Sequence, residues 1–182
     1  YERLEARCAG SPHVPSAQLK LGIIHYEAGR FNEAKRPLAK IPANHALKAD
    51  ADYFSAWTEL DNGKPADAAR KFKVLRERLA RSDAESGLIA ESYLYQGIAE
   101  FEARQFGTSA QTLAGFLKAH GSHDKVDGGA FNLGLAHMEL TRWDQAIESF
   151  DQVAAASPIR DRALYQSAWS KRSAGQHAES IP

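Results

Sequence analysis

Residues 133–158 read LGLAHMELTRWDQAIESFDQVAAASP. Two apolar runs at helical spacing flank a short polar break at Thr141-Arg142. Gly134 and Ala146 are small, as needed where two antiparallel helices approach closely. Trp143, Phe150 and Val153 supply the apolar face that such a pair would bury. Ser157-Pro158 is the place to end one helix and start the next, with Ser as N-cap and Pro at the first helical position. A single helical hairpin cannot bury its own apolar face, so this stretch requires stacked neighbours.

The same phase recurs along the chain. Leu19 to Pro42 carries Leu21-Gly22, Gly29, Phe31, Ala34 and Leu38. Ala56 repeats Gly22 after 34 residues, with Gly63, Pro65, Ala68, Phe72 and Leu75 in phase. Gly97 follows after 41, with Phe106, Ala110, Leu113 and Phe116; Gly134 after 37; and Ala168, with Gly175, after 34. The seven extra residues of the second step are about two helical turns. They are expected to lengthen the helices on either side of Ser82, where Ser82 and Glu85 form a capping box. The excess of the third step is expected in the loop 120–124. SPHVPS (11–16) reads as a loop, Asn44 as a helix cap, and Pro37 as falling early in a second helix. Tyr1, Leu4 and Cys8 read as the second helix of a repeat whose first helix is absent. No stretch shows sustained strand alternation or a hairpin turn signal.

Composition limits the function. Lys+Arg and Asp+Glu are both 23, so the formal net charge is zero, which argues against bulk electrostatic binding to nucleic acid or anionic membrane. The single cysteine, Cys8, excludes an intramolecular disulfide and a cysteine-based zinc site. No apolar run approaches the ~18 residues of a membrane span.

The spacing of Leu133-Gly134, Trp143, Ala146, Phe150 and Pro158 resembles the tetratricopeptide (TPR) repeat, and TPR-like spacing covers nearly the whole chain. The second and fifth repeats depart from the pattern, with Ser55 and Ser167 at a Leu position and Lys171 at an aromatic one. The resemblance implies an all-α fold, a right-handed superhelical solenoid of antiparallel helix pairs, and a role in protein–protein interaction. It divides 1–182, taken as one solenoid segment, into a partial repeat 1–12, repeats at about 15–44, 49–81, 83–120 and 124–158, and a partial repeat 161–182. The chain thus reads as a segment of a longer solenoid or a trimmed domain. The run SPHVPSAQLKLG (11–22) and the longer linkers are similar to bacterial envelope TPR proteins, such as the periplasmic Tol–Pal-associated coordinator and outer-membrane assembly lipoproteins. That likeness implies a periplasmic or envelope-associated setting, with the cytoplasm left open.

In TPR solenoids, one stripe of each first helix faces the concave side. Helix periodicity gives this stripe as Leu19, Ile23, Tyr26; Tyr53, Trp57, Leu60; Leu94, Ile98, Phe101; Phe131, Leu135, Met138; and Tyr165, Trp169. Such residues serve either as inter-repeat core or as an apolar trough for a partner. A carboxylate row, Glu27, Asp61, Glu102 and Glu139, runs one residue further on. It lies near helix C-termini, where the macrodipole disfavours acids. Either solvation or a basic partner accounts for it. The partner-binding residues expected are Tyr53, Trp57, Tyr95, Phe131 and Trp169 as anchors, with Glu102 and Glu139 meeting basic groups.

Other chemistry is sparse. His120, His123, Asp124 and Asp127 are metal-competent types, but in a loop ahead of a helix they read as capping groups. His25 and His137 occupy a position usually Tyr in the family and read as core histidines. Lys73, Arg76, Arg78 and Arg81 make a basic patch that reads as a solvated face. No nucleophile elbow, Walker loop, dinucleotide fingerprint or zinc-protease motif occurs. The carboxylate clamp of chaperone-binding TPR domains is missing, since its positions hold Leu19, Ile23, Phe54, Glu91 and Tyr95. The expected function is a protein–protein interaction scaffold, not an enzyme, without cofactor or metal, binding a protein or peptide along an apolar, aromatic groove. The alternative is a structural element that self-associates through its open ends.

Overall fold

The computed structural model describes residues 11–81 and 87–175. Among them are nine α-helices and no strand: α1 (Val14–Glu27), α2 (Phe31–Ala39), α3 (Lys48–Asp61), α4 (Pro65–Leu79), α5 (Gly87–Glu102), α6 (Phe106–Ala119), α7 (Val126–Glu139), α8 (Trp143–Asp151) and α9 (Arg160–Ser173). Contacts divide the chain into two compact units, residues 1–92 and 93–182, with the boundary inside α5. In the first unit α1 packs on α2, α2 on α3 and α3 on α4, and α1 also touches α3. In the second, α6 packs on α7, α7 on α8 and α8 on α9. The Tyr1–Cys8 segment, the Ser82–Glu85 capping box and residues 176–182 lie outside the described residues.

Each hairpin closes on a small residue of its first helix. A Cβ added at Gly22 would lie 2.5 Å from Leu38 Cγ, and one at Gly97 would lie 2.6 Å from Leu113 Cγ. At Gly134 it would overlap the Phe150 ring. Leu38, Leu113 and Phe150 are in turn fully enclosed, and each such side chain contributes ~1.5–3 kcal/mol of burial. Ala56 and Phe72 hold the same phase in the second hairpin, and both are completely buried. In the first unit Leu38, Ile41 and Ala51 form a core joined by Leu19 and Phe54. In the second, Ala130, Phe131, Ala146, Phe150, Val153 and Ala163 form another.

The turn that follows each first helix has one geometry. Gly29, Gly63, Arg104, Thr141 and Gly175, each seven residues after the small packing residue, take positive φ between 55° and 84°. Around Gly29, its N–H donates to Tyr26 O and the Arg30 N–H reaches back to His25 O. Gly63-Lys64, Arg104-Gln105 and Thr141-Arg142 repeat the pair of bonds. This is the Schellman C-cap, which satisfies helix-terminal carbonyls through a left-handed residue. Arg104 and Thr141 adopt it without glycine's freedom, and Thr is β-branched, so both positions are strained.

Several local expectations are corrected. SPHVPS is not all loop: α1 begins at Val14 and takes Pro15 and Ser16 into its first turn, where a missing donor is harmless. Pro37 is the seventh of nine residues in α2, not an early one, and α2 stops two residues later. Neither Asn44 nor Ser157 caps a helix. α3 starts at Lys48 and α9 at Arg160, and neither has a side-chain cap. Two consecutive turns lead into each instead. His45 N bonds Pro42 O and Lys48 N bonds His45 O; the same pair recurs at His120-His123-Val126 and Ala154-Ser157-Arg160. Imidazoles take part, because Leu47 N donates to His45 Nδ1 at 3.1 Å and Lys125 N to His123 Nδ1 at 3.2 Å. The excess of the third repeat is not in the loop 120–124 either. It lengthens α6 to 14 residues against nine in α2 and α8, because the apolar face runs on through buried Phe116. In that repeat the small second-helix residue in phase with Ala34, Ala68 and Ala146 is Ser109, not Ala110. Ser109 is completely buried, and its hydroxyl donates to Gly97 O at 2.8 Å.

Two outcomes follow from this packing. Gly134→Leu forces a side chain into the Phe150 ring and should destabilise by ~1–3 kcal/mol or more, read as a lowered thermal midpoint. Thr141→Gly relieves a β-branched residue at φ 55°. It should raise stability by ~0.5–1 kcal/mol in chemical denaturation, net of glycine's greater unfolded-state entropy.

Candidate partner-binding surfaces

In the first unit, α3 brings Tyr53 and Trp57 together, one turn apart. Both are half-buried. Their rings meet edge-on at 6.4 Å, and both press on Phe72 of α4, at 5.9 and 6.0 Å. The Tyr53 hydroxyl donates to the Glu91 carboxylate. On α1, Tyr26 lies 6.0 Å from Phe54, and its hydroxyl donates to Asp61 Oδ2 at 2.6 Å. One member of the carboxylate row is therefore bound within the unit. The stripe here is partly hairpin packing and partly surface.

In the second unit, the expected anchors fare differently. Phe131 is no surface anchor: it is 6% exposed, packs on Phe150 at 5.6 Å, and carries the Arg162 guanidinium 4.9 Å above its ring. Its stripe position faces the core because α8 packs on that side of α7. Tyr95 is half-buried with Lys125 Nζ 5.5 Å over its ring. Trp169 is 46% exposed and rests edge-on against Trp143 at 5.6 Å, with Tyr165 beside it 70% exposed. Glu102 and Glu139, at the C-terminal ends of α5 and α7, are exposed.

The family's Tyr position, six residues before the second helix of the hairpin begins, carries titratable groups throughout: His25, Glu59, Glu100, His137 and Lys171. Glu59 is the best satisfied. Lys35 Nζ reaches its Oε2 at 2.7 Å and Lys71 Nζ its Oε1 at 2.9 Å. Burial by itself pushes this carboxyl up. The hydrogen bonds from the two lysines, and then their charges, outweigh burial and hold it below its ordinary value. Glu100 is also buried; Oε1 accepts from Gln96 Nε2 at 2.8 Å, and Oε2 makes no hydrogen bond to protein. Burial lowers the pKa of His137, Arg142 adds to this, and Glu148 opposes it, so the ring is kept neutral. His25 Nδ1 accepts from Arg30 Nε at 3.0 Å. Sequence reading passed over the Lys35–Glu59–Lys71 triad. Its signal was a carboxylate at a Tyr position with lysines on both adjoining second helices.

No group of three or more His, Cys, Asp or Glu among the described residues is arranged to hold a metal ion. Asp127 accepts from Ala154 N at 3.0 Å, and His120 packs on Phe116. No described helix is long and apolar enough to cross a membrane.

Repeated two-helix hairpins, each closed by a small-on-large contact and a left-handed turn, define a helical-repeat protein. The family model for the tetratricopeptide repeat matches residues 19–84 and 131–182, more than half of the chain, and the protein belongs to that family. Among solved structures it is similar to MamA protein, with 19% identity and a TM-score of 0.78 over 93% of this chain and 87% of that one. It is also similar to a putative kinesin light chain from Podosopora anserina with nearly identical TPR-like repeats, with 17% identity and a TM-score of 0.73 over 93% and 92%. At these identities the likeness shows the fold alone. A comparison with curated proteins finds no match. TPR repeats generally mediate protein–protein interaction.

The triad carries a pH dependence. A carboxylate held below its ordinary value in the folded state contributes stability above the unfolded pKa of ~4.3, and loses it as pH falls through the folded value. The difference in thermal midpoint between wild type and Glu59→Gln should therefore be largest near neutrality and shrink on acidification below ~4.3. A difference that does not change with pH would mean the triad is not what Glu59 contributes.

Proposed function

We propose that the chain is a non-catalytic interaction module that binds a partner protein or peptide through aromatic side chains of its first helices. The observation that carries this is the partial exposure of aromatics at one repeat phase: Tyr53 and Trp57 on α3, and Tyr165 and Trp169 on α9. Tyr53, Trp57 and Trp169 each pack one side on a neighbouring ring, which fixes them at small entropic cost, and their other sides remain to meet a partner, with Tyr165 standing more open beside Trp169. Half-buried, preorganised aromatics are the usual hot spots of interfaces. Tyr95 is a further anchor, with Glu102 and Glu139 as exposed carboxylates that attract basic groups. The Ser11–Gly22 run supports a bacterial envelope setting for this role.

With a partner recovered by affinity capture, surface plasmon resonance at two ionic strengths tests the reading. Trp57→Ala should weaken binding by ~2 kcal/mol, mainly through faster dissociation. Glu102→Gln with Glu139→Gln should slow association, most at low salt. Normal binding by a folded Trp57→Ala variant would reduce the α3 aromatics to hairpin packing.

A second reading rests on α9. Leu164 is 42% exposed beside Tyr165 and Trp169, an apolar face that another copy of the chain could cover. Concentration-dependent sedimentation that disappears in Tyr165→Ser/Trp169→Ser would support it; monomeric sedimentation at high concentration would reject it.

A further inference from the structure

Two of the linkers that lead into first helices use an imidazole as a hydrogen-bond acceptor, and they differ in what stands beside it. His45 Nδ1 accepts from Leu47 N, and the residue between them is Ala46. His123 Nδ1 accepts from Lys125 N at 3.2 Å, and the residue between them is Asp124, whose Oδ1 lies 2.8 Å from the same nitrogen. One ring nitrogen cannot serve both neighbours. To accept from the amide it must keep its lone pair, with the ring proton on Nε2; to bond the carboxylate it must itself carry a proton. The two bonds exclude each other, and a single proton chooses between them.

The surroundings direct the proton to His123. Its ring rests edge-on against Phe116 of α6 at 5.9 Å, and its side chain is 22% exposed, so it is anchored and still reached by water. His120, at the end of α6, packs on the same Phe116 and on Tyr93 of α5 at 6.1 Å. Burial, and after it the charge of His123, hold the His120 imidazole below its ordinary value, so that ring is kept neutral. Asp127, in the first turn of α7, is engaged by Ala154 N. Lys125 is the N-cap residue of α7, and its ammonium lies 5.5 Å over the Tyr95 ring of α5. The same residue thus carries the amide that His123 holds and the cation that covers Tyr95.

We propose that His123 is a proton-operated switch at the entry of α7 that governs access to Tyr95. Without the proton, Nδ1 holds the Lys125 amide and keeps that residue in place over the ring. With the proton, Nδ1 donates to the Asp124 carboxylate instead, and the amide loses this acceptor. The imidazolium then stands two residues from the Lys125 ammonium, and like charge pushes the ammonium off the Tyr95 ring. A cation over a half-open aromatic ring is held weakly, so this repulsion suffices. Histidine is the side chain whose ordinary titration falls between about pH 5 and 8, so mild acidification operates the switch. Its use, to uncover an aromatic anchor for the partner, rests on the reading of Tyr95 given above.

NMR on the full chain between about pH 8 and pH 5 tests this without a partner. Three signals should change in one shared transition: the His123 ring, the Lys125 amide, and the Lys125 ε-methylene protons, which lose the ring-current shift of Tyr95. Across it the protection factor of the Lys125 amide against hydrogen exchange should fall about fivefold, the worth of one ordinary hydrogen bond. Asp124→Asn removes the acceptor of the protonated ring and should move the transition to lower pH. Asp124 is 80% exposed, so this variant keeps the fold. His123→Asn keeps an acceptor for the amide two residues on, as in an Asx turn, and cannot titrate. In it the Lys125 amide should stay protected and its ε-methylene signals should stay fixed at every pH. The proposal is overturned if the Lys125 signals stay unchanged while the His123 ring titrates, or if they follow the His120 ring instead. It is equally overturned if Asp124→Asn leaves the transition where it was, or if the transition survives in His123→Asn. Failure of the anchor reading looks different: Tyr95→Ala would then bind the captured partner normally, while the Lys125 signals of wild type still switch with pH.

Discussion

Everything in this fold depends on how closely two helices of a hairpin can approach. At Gly22, Gly97 and Gly134 there is no room for even a methyl group, because Leu38, Leu113 and Phe150 occupy the space against the first-helix backbone. The glycine costs helix propensity, roughly 1 kcal/mol relative to Ala. Burying a whole Leu or Phe on the facing helix contributes more. The left-handed turn seven residues later then brings the second helix back at the correct register. Small residue, turn and large residue form one device, and its repetition produces the fold.

Around this device the chain tolerates polar groups only where they are satisfied. Ser109 takes an Ala position because its hydroxyl finds the carbonyl of Gly97, which the close approach puts within reach. Glu59 takes a Tyr position because lysines from two second helices neutralise it. The interior charge costs desolvation, and the triad offsets that cost without making it a large net source of stability. What it changes is the α3–α4 surface, where ionised side chains stand at a position the family fills with a phenol. Arg160 plays a comparable part in the second unit, donating to Val153 O at 2.6 Å and so closing the end of α8.

The aromatic stripe shows how one phase can serve two roles. Phe131 and Trp169 belong to the same stripe by repeat counting, at positions one helical turn apart. Yet one is sealed between Phe150 and Arg162, and the other is half open on Trp143. Whether a stripe residue is core or surface depends on what the next helix places above it. A guanidinium or a second ring decides the outcome, and the repeat phase does not.

The sequence by itself determined the helical hairpins and their phase, because the small–large spacing at Gly22/Leu38 and Gly134/Phe150 is a steric requirement that survives degeneracy elsewhere. It also determined that the helices flanking residue 82 are long: α4 has 15 residues, where α2 and α8 have nine. It misplaced helix starts, because the linkers use paired turns and imidazole acceptors in place of a Ser or Asn cap, and local residue identity does not distinguish the two. It put Phe131 and Trp169 in one class, since periodicity assigns a direction to a side chain but not the neighbour that covers it. Only the tertiary structure joined Lys35, Glu59 and Lys71 across three helices. Their sequence separations of 24 and 12 follow no local rule, and the charges meet only once the helices have packed.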